Sequence, residues 1–138
     1  MPPILRNLIA LVLGVLSSGT ANMSLIKLGG KLLPPPPGVD VNDIASINAH
    51  IGEYTVAQLM MPFLAHALGT LLGAFLAARI AASRQLFLAL IVGALGLLGG
   101  AMAVHMIPNS PLWFDILDLG FAYIPMALLG WLLAGGKR

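Results

Sequence analysis

Apolar positions in this chain gather into four long runs, at about 4–26, 55–80, 86–107 and 112–134, separated by polar or proline-rich connections. Each run reaches the roughly 20 residues that a helix needs to cross a hydrocarbon core of about 30 Å. None alternates with period two, and a spanning segment must satisfy its own backbone, so the runs predict helices. The expected fold is all-α: a single transmembrane domain over residues 1–138, with four transmembrane helices in an antiparallel bundle. The first run follows Arg6, as the apolar core of a signal peptide would. It exceeds the usual length of such a core and lacks a clear cleavage context, so it reads as a retained helix.

The connections are unequal. RIAASR (79–84) and PNSP (108–111) are tight turns, the second carrying two helix breakers. Only the first connection, 27–54, has room for structure. It opens with Gly29 and Gly30, continues through the polyproline-type spacer PPPPG (34–38), and ends in VDVNDIASINAHIGEY. Asp40 or Asn42 is placed to cap a helix beginning near Asp43, and Ile44, Ile47 and Ile51 fall on one side of it. That pattern predicts a short amphipathic helix lying on the outer face, isoleucines down; the alternative is an ordered loop packed over the helices.

Composition identifies the solvent. The chain is 59% hydrophobic and 9% charged, against about 25% charged in soluble domains, and its mean hydropathy is +0.96. Charge then sets orientation. Arg6, Arg79, Arg84, Lys137 and Arg138 flank the N-terminus, the second connection and the C-terminus, which an even number of spans places on one side. Lys27, Lys31, Asp40, Asp43 and Glu53 share the other side. The positive-inside bias therefore puts both termini in the cytoplasm, in a bacterial inner membrane, with Tyr54 and Trp113 at the outer interface and Trp131 near the inner one. These basic residues are too few and dispersed for nucleic acid. The chain has no cysteine, which removes disulfides and thiolate chemistry.

Each span also has one face of small or polar residues, as packing in lipid requires. On the first it is Gly14, Ser18 and Asn22; on the second His66, Gly69, Thr70, Gly73 and Ala77; on the third Ala89, Gly93, Gly96 and Gly100; on the fourth Asp115, Asp118, Ala122, Pro125 and Leu129. Such seams pack helices within a protomer or between protomers. At a rise of about 1.5 Å per residue, Asn22 and Asp118 fall in the outer third of the membrane, Ser18 slightly deeper, and His66 and Tyr123 near the midplane. The cytoplasmic half holds almost nothing polar. Facing inward, Ser18, Asn22, His66, Asp118 and Tyr123 would enclose a ligand-binding pocket that opens outward and is sealed below. A carboxylate at the centre of a spanning helix costs about 2.5–3.5 kcal/mol, so Asp118 needs a partner, with His66, Asn22 and Lys27 in range. The bland counterpart is a polar clamp that only holds helices together.

Other chemistries fit less well. Ser18, His66 and Asp118 contain the elements of a nucleophilic triad, but LSSG lacks the glycine that precedes the serine in rhomboid-type proteases. His50 and Glu53, with His105 and Asp115, are acceptable zinc-ligand types without a diagnostic spacing, and His105 and Asp115 read as interfacial. His66 and His105 lie at different depths, which argues against haem. No metal or cofactor is expected. Pro62 and Pro125 lie inside apolar runs and permit kinks, which leaves transport open.

The stretches NMSLIKLGGKLLPPPPGVD, PFLAHALGT and PLWFDILDLGFAYIPMALLG together resemble small four-span bacterial inner-membrane proteins of unassigned function. The resemblance covers most of the length and implies the topology; no catalytic or binding residue comes with it. The chain does not resemble small multidrug exporters, whose first helix carries an embedded glutamate, nor fluoride channels, whose central helix break is not evident here. The expectation is therefore a binding protein for a small polar solute or a lipid headgroup, for transport or sensing, with membrane lipid and further copies or a larger complex as partners. Its rivals are an accessory subunit without a ligand and a small intramembrane enzyme.

Overall fold

In the computed structural model, which describes residues 1–137, the chain forms α1 (Pro3–Leu32), α2 (Ile44–His50), α3 (Val56–Ile80), α4 (Gln85–Met106), α5 (Leu112–Phe121) and α6 (Ile124–Leu133), with a 3-10 turn at Ile51–Glu53. The described residues contain no strand. Arg138, one of the basic residues in the orientation argument, lies outside them. Four segments are long and apolar enough to cross a membrane: α1, α3, α4, and α5 with α6 taken together, at mean hydropathies of 1.7, 1.7, 2.3 and 1.8.

Helix boundaries have local causes. Pro2 and Pro3 open α1, where a missing N–H costs nothing. The helix then runs on through Lys27, Gly29 and Lys31 to Leu32, beyond the 26 expected from hydropathy, and stops where four consecutive prolines remove the donors that would continue it. Thr55 and Gln58 form a reciprocal capping box at the start of α3, and Gln58 Nε2 also donates to Pro34 O at 2.6 Å, tying the proline spacer to that helix. Arg84 adopts a left-handed conformation (φ 54°) to turn the chain into α4. At the same turn Asn7 Oδ1 accepts from the backbone N–H groups of Ala82 and Ser83, while Arg6 Nε donates to Ile80 O.

α1 and α3 form the largest interface and run in opposite directions, since Arg6 meets Ile80 at one end and Gly29 faces Met61 at the other. α3 also packs on α4 and α6 and is the central helix. The interior is built from alanine and glycine: Ala10, Ala65, Ala74, Ala77, Ala89 and Ala127 are fully buried, while Leu16, Leu68, Leu98, Leu132 and many other large apolar side chains face outward. Small residues let backbones approach, and the greasy exterior is what a hydrocarbon surrounding favours.

The fourth span is not continuous. Its backbone ladder is interrupted between Ala122, whose N–H donates to Asp118 O, and Ala127, whose N–H donates to Tyr123 O. Pro125, at the second position of α6, has no N–H to bridge the gap. The break resets the helical phase. Asp118 is buried on α5, Ala122 and Tyr123 at the break, and Ala127 and Gly130 on α6; Pro125 and Leu129, expected on the inner face, are exposed. Pro62, by contrast, sits within an uninterrupted α3.

In the first connection Asp43 caps α2 through Ala45 N–H. The three isoleucines do not share one environment: Ile44 is exposed, Ile47 half-buried and Ile51 buried, because the 3-10 turn redirects the chain toward the helices. Asn48 accepts from Asn109 N–H and fastens α2 to the α4–α5 turn.

Candidate functional site

Near the middle of the fourth span, the break brings together two side chains that a regular helix would hold apart. Residues five apart on an α-helix point about 140° away from each other. Here Tyr123 Oη donates to Asp118 Oδ2 at 3.1 Å. The other carboxyl oxygen, Oδ1, lies 2.8 Å from His66 Nδ1 on α3, the single ion-pair contact among the described residues. The His66 and Tyr123 rings stack at 5.8 Å between centroids and 25° between planes. Asp118 and Tyr123 are each 4% exposed, so the carboxyl group is enclosed and its two oxygens are spoken for, as burial of such a group demands. With Nδ1 donating to Asp118, Nε2 is the ring nitrogen left to accept from a guest.

Glycines carve the seat for Tyr123. A Cβ on Gly96 would stand 2.7 Å from its Cδ1, and one on Gly100 would stand 2.6 Å from its hydroxyl oxygen. While Gly93 packs against Ala127, this part of the α4 glycine stripe, legible in the sequence as a packing seam, is shaped around one aromatic ring. Its partner was not legible, because the ring reaches it only through the break.

Two cavities meet at His66. One, of about 360 Å³, lies between α1, α3 and α4; Ser18, Asn22, His66, Thr70 and Tyr123 supply its polar wall and Val15, Val92 and Leu95 its apolar one. Gly19, Leu95, Gly99 and Ala103 on its border are exposed, so it opens sideways between α1 and α4. The other, of about 750 Å³, lies at the end of the helices covered by the first connection. Val39, Val41, Ile47 and Ile51 roof it, and Lys27, Lys31, Asp115 and Asp118 lie on its walls. Tyr54 also lines it, and burial pushes its hydroxyl above the ordinary tyrosine value, keeping it a neutral donor.

The five expected site residues are thus divided between two spaces. Ser18, Asn22, His66 and Tyr123 border the lateral cavity; Asp118 borders the one under the loop; His66 borders both. A single pocket opening only outward is not what forms, because α1 and α4 part beside His66. Asn22 makes no bond to Asp118, and its Oδ1 is buried without a partner. Lys27 is exposed and has no ion-pair partner among the described residues, so His66 and Tyr123 take the role of partners to Asp118.

Ser18 packs against Gly73 and makes no hydrogen bond to His66, which leaves the triad arrangement without its nucleophile–base contact. His50 Nδ1 is engaged with Ser46 O, His105 is exposed, and among the described residues no three histidine or acidic side chains converge as metal ligands. Asp115 accepts from the Ser110 hydroxyl at 2.6 Å, closing the α4–α5 turn.

Fold and site together define a helical chain with four segments long and apolar enough to span a membrane and a hydrogen-bonded His–Asp–Tyr cluster near mid-span. Neither a protein-family model, nor a curated protein, nor a solved structure matches this chain.

Proposed function

We propose that this chain is a bacterial inner-membrane protein, an antiparallel four-span bundle with both termini in the cytoplasm. It binds the polar part of a small solute or a lipid headgroup within the membrane, for transport. The observation that carries the reading is His66: a histidine held through Nδ1 by a buried carboxylate, bordering both a cavity that opens sideways and one under the external loop. An ionisable group at such depth is a functional candidate by default, and helix breaks in membrane proteins are tolerated where they line protein cavities. Asp118 fixes the ring, Tyr123 fixes Asp118, and Nε2 accepts from the guest. Asn22, whose carbonyl oxygen has no partner, stands on the same wall as a second acceptor. The loop, fastened through Asn48 and Gln58, serves as a roof.

The test is thermal unfolding of the purified chain in detergent with bacterial polar lipid extract, or with water-soluble ethanolamine phosphate, as probe. Stabilisation by either probe that disappears in His66→Ala supports the site, and the probe that acts tells lipid from free solute. Equal shifts in wild type and His66→Ala, or no shift from either probe, would overturn it. The rival reading, a subunit that packs its small residues against a larger complex, draws on the exposure of Ala94, Gly99 and Ala101 along α4. It predicts a stable heteromeric partner in mild-detergent purification.

A further inference from the structure

The loop-side cavity is lined by both signs of charge, the lysines from α1 and the acidic residues from α5. Lys27 and Lys31, one turn apart near the end of α1, are exposed and make no ion pair among the described residues. Asp115 and Asp118 of α5 line the same cavity, each bonded to neighbours that donate to it but not paired with a lysine. Asp118 is already held by His66 and Tyr123, but Lys27 and Lys31 border the same space as Asp115 without an ion pair to it, which matches a guest that is itself dipolar. The lateral cavity shares His66, Gly100 and Ala103 with this space as lining residues, and Leu95 and Gly99 on its border are exposed. Beside the opening its lining is Val15, Val92, Leu95 and Gly99, suited to a hydrocarbon chain, while Ser18, Asn22, His66 and Thr70 form a polar side. Resting on the reading of His66 as a headgroup site, we propose that the guest is a zwitterionic phospholipid with a primary ammonium. Its phosphate lies at Lys27 and Lys31, its ammonium at Asp115 and at the Nε2 of His66 that Asp118 leaves free, and one acyl chain lies in the lateral opening.

The primary ammonium matters because it donates hydrogen bonds, which a quaternary ammonium cannot do, and charge-assisted bonds to carboxyl groups are the strong ones. The lateral opening matters because a lipid can then enter from the bilayer without passing the loop.

Native mass spectrometry of the full chain released from detergent micelles tests this with phosphatidylethanolamine, phosphatidylcholine and phosphatidylglycerol of identical chains. Phosphatidylethanolamine should be retained about tenfold more tightly than either of the others, a gap on the scale of one charge-assisted contact. Lys27→Ala with Lys31→Ala, and separately Asp115→Asn, should each erase most of that preference; because Asp115 also accepts from Ser110 at the α4–α5 turn, circular dichroism and a detergent melt check that each variant is folded. Leu95→Trp should weaken all three lipids by filling the side opening. Equal retention of the three lipids, or a preference indifferent to the lysine and Asp115 variants, overturns the headgroup assignment. If lipid stabilisation still requires His66 in that case, the polar site itself stands and only the identity of its guest is lost.

Discussion

At the residue scale, the consequential positions are those where an added atom or a lost one is felt at once. Gly100→Ala would drive a Cβ into the Tyr123 hydroxyl at 2.6 Å. Overpacking of that kind costs about 1–3 kcal/mol, and here it also pushes the hydroxyl off Asp118. We expect a lowered unfolding temperature and a loss of whatever ligand stabilisation His66 mediates, both read in one detergent melt. Tyr123→Phe is milder. It keeps the ring in its glycine seat and removes one bond to Asp118, and hydrogen bonds between spanning helices average about 0.6 kcal/mol in double-mutant cycles. A cycle of Tyr123→Phe with Asp118→Ala, which removes the acceptor, should return a coupling of that size; a value near zero would show that the 3.1 Å contact contributes nothing. The sequence made His66 and Asp118 conspicuous, since ionisable groups are rare in such surroundings. It could not reveal that Asp118 chooses His66 over Asn22 and Lys27, because that choice depends on the relative rotation of α3 and α5.

At the scale of elements, the spans were legible from length and hydropathy, and the glycine seams from spacing. The seam between α1 and α3 is tight: a Cβ on Gly73 would lie 2.5 Å from Gly14 O and 2.6 Å from Ser18 Cβ. The first of those is backbone, which cannot turn aside, so Gly73→Ala must part the helices. A loss of at least about 2 kcal/mol is expected from strain of this kind, measured by unfolding in mixed micelles, whereas Gly19→Ala, with nothing within 4 Å, should be near neutral. The fourth span is where reading by a single period fails. Asp118, Ala122, Pro125 and Leu129 keep regular spacing and suggested one continuous inner stripe. The signal against it was Pro125 close to the aromatic Tyr123, but a proline in a spanning helix is compatible with either a mild kink or a full break. Which one occurs is decided by burial of Ala122 and Tyr123 together, a tertiary fact.

For the whole molecule, the charge asymmetry between its two ends makes a topological prediction that the absence of cysteine renders easy to check. Single cysteines at Asn42 and Ser83 would each be the only thiol in the chain. In intact cells a membrane-impermeant maleimide should label Asn42→Cys and leave Ser83→Cys untouched until the membrane is opened. The reverse pattern would invert the proposed orientation.

The interrupted fourth span also bears on how the chain is assembled. Carbonyl groups left without amide partners cannot rest in hydrocarbon, where water is unavailable to them. The α5–α6 segment is thus poorly suited to stand alone in the bilayer as the other three can. It should settle only once α3 and α4 already stand together and offer it a groove. The segment that completes the histidine cluster then depends on its neighbours for its place in the membrane.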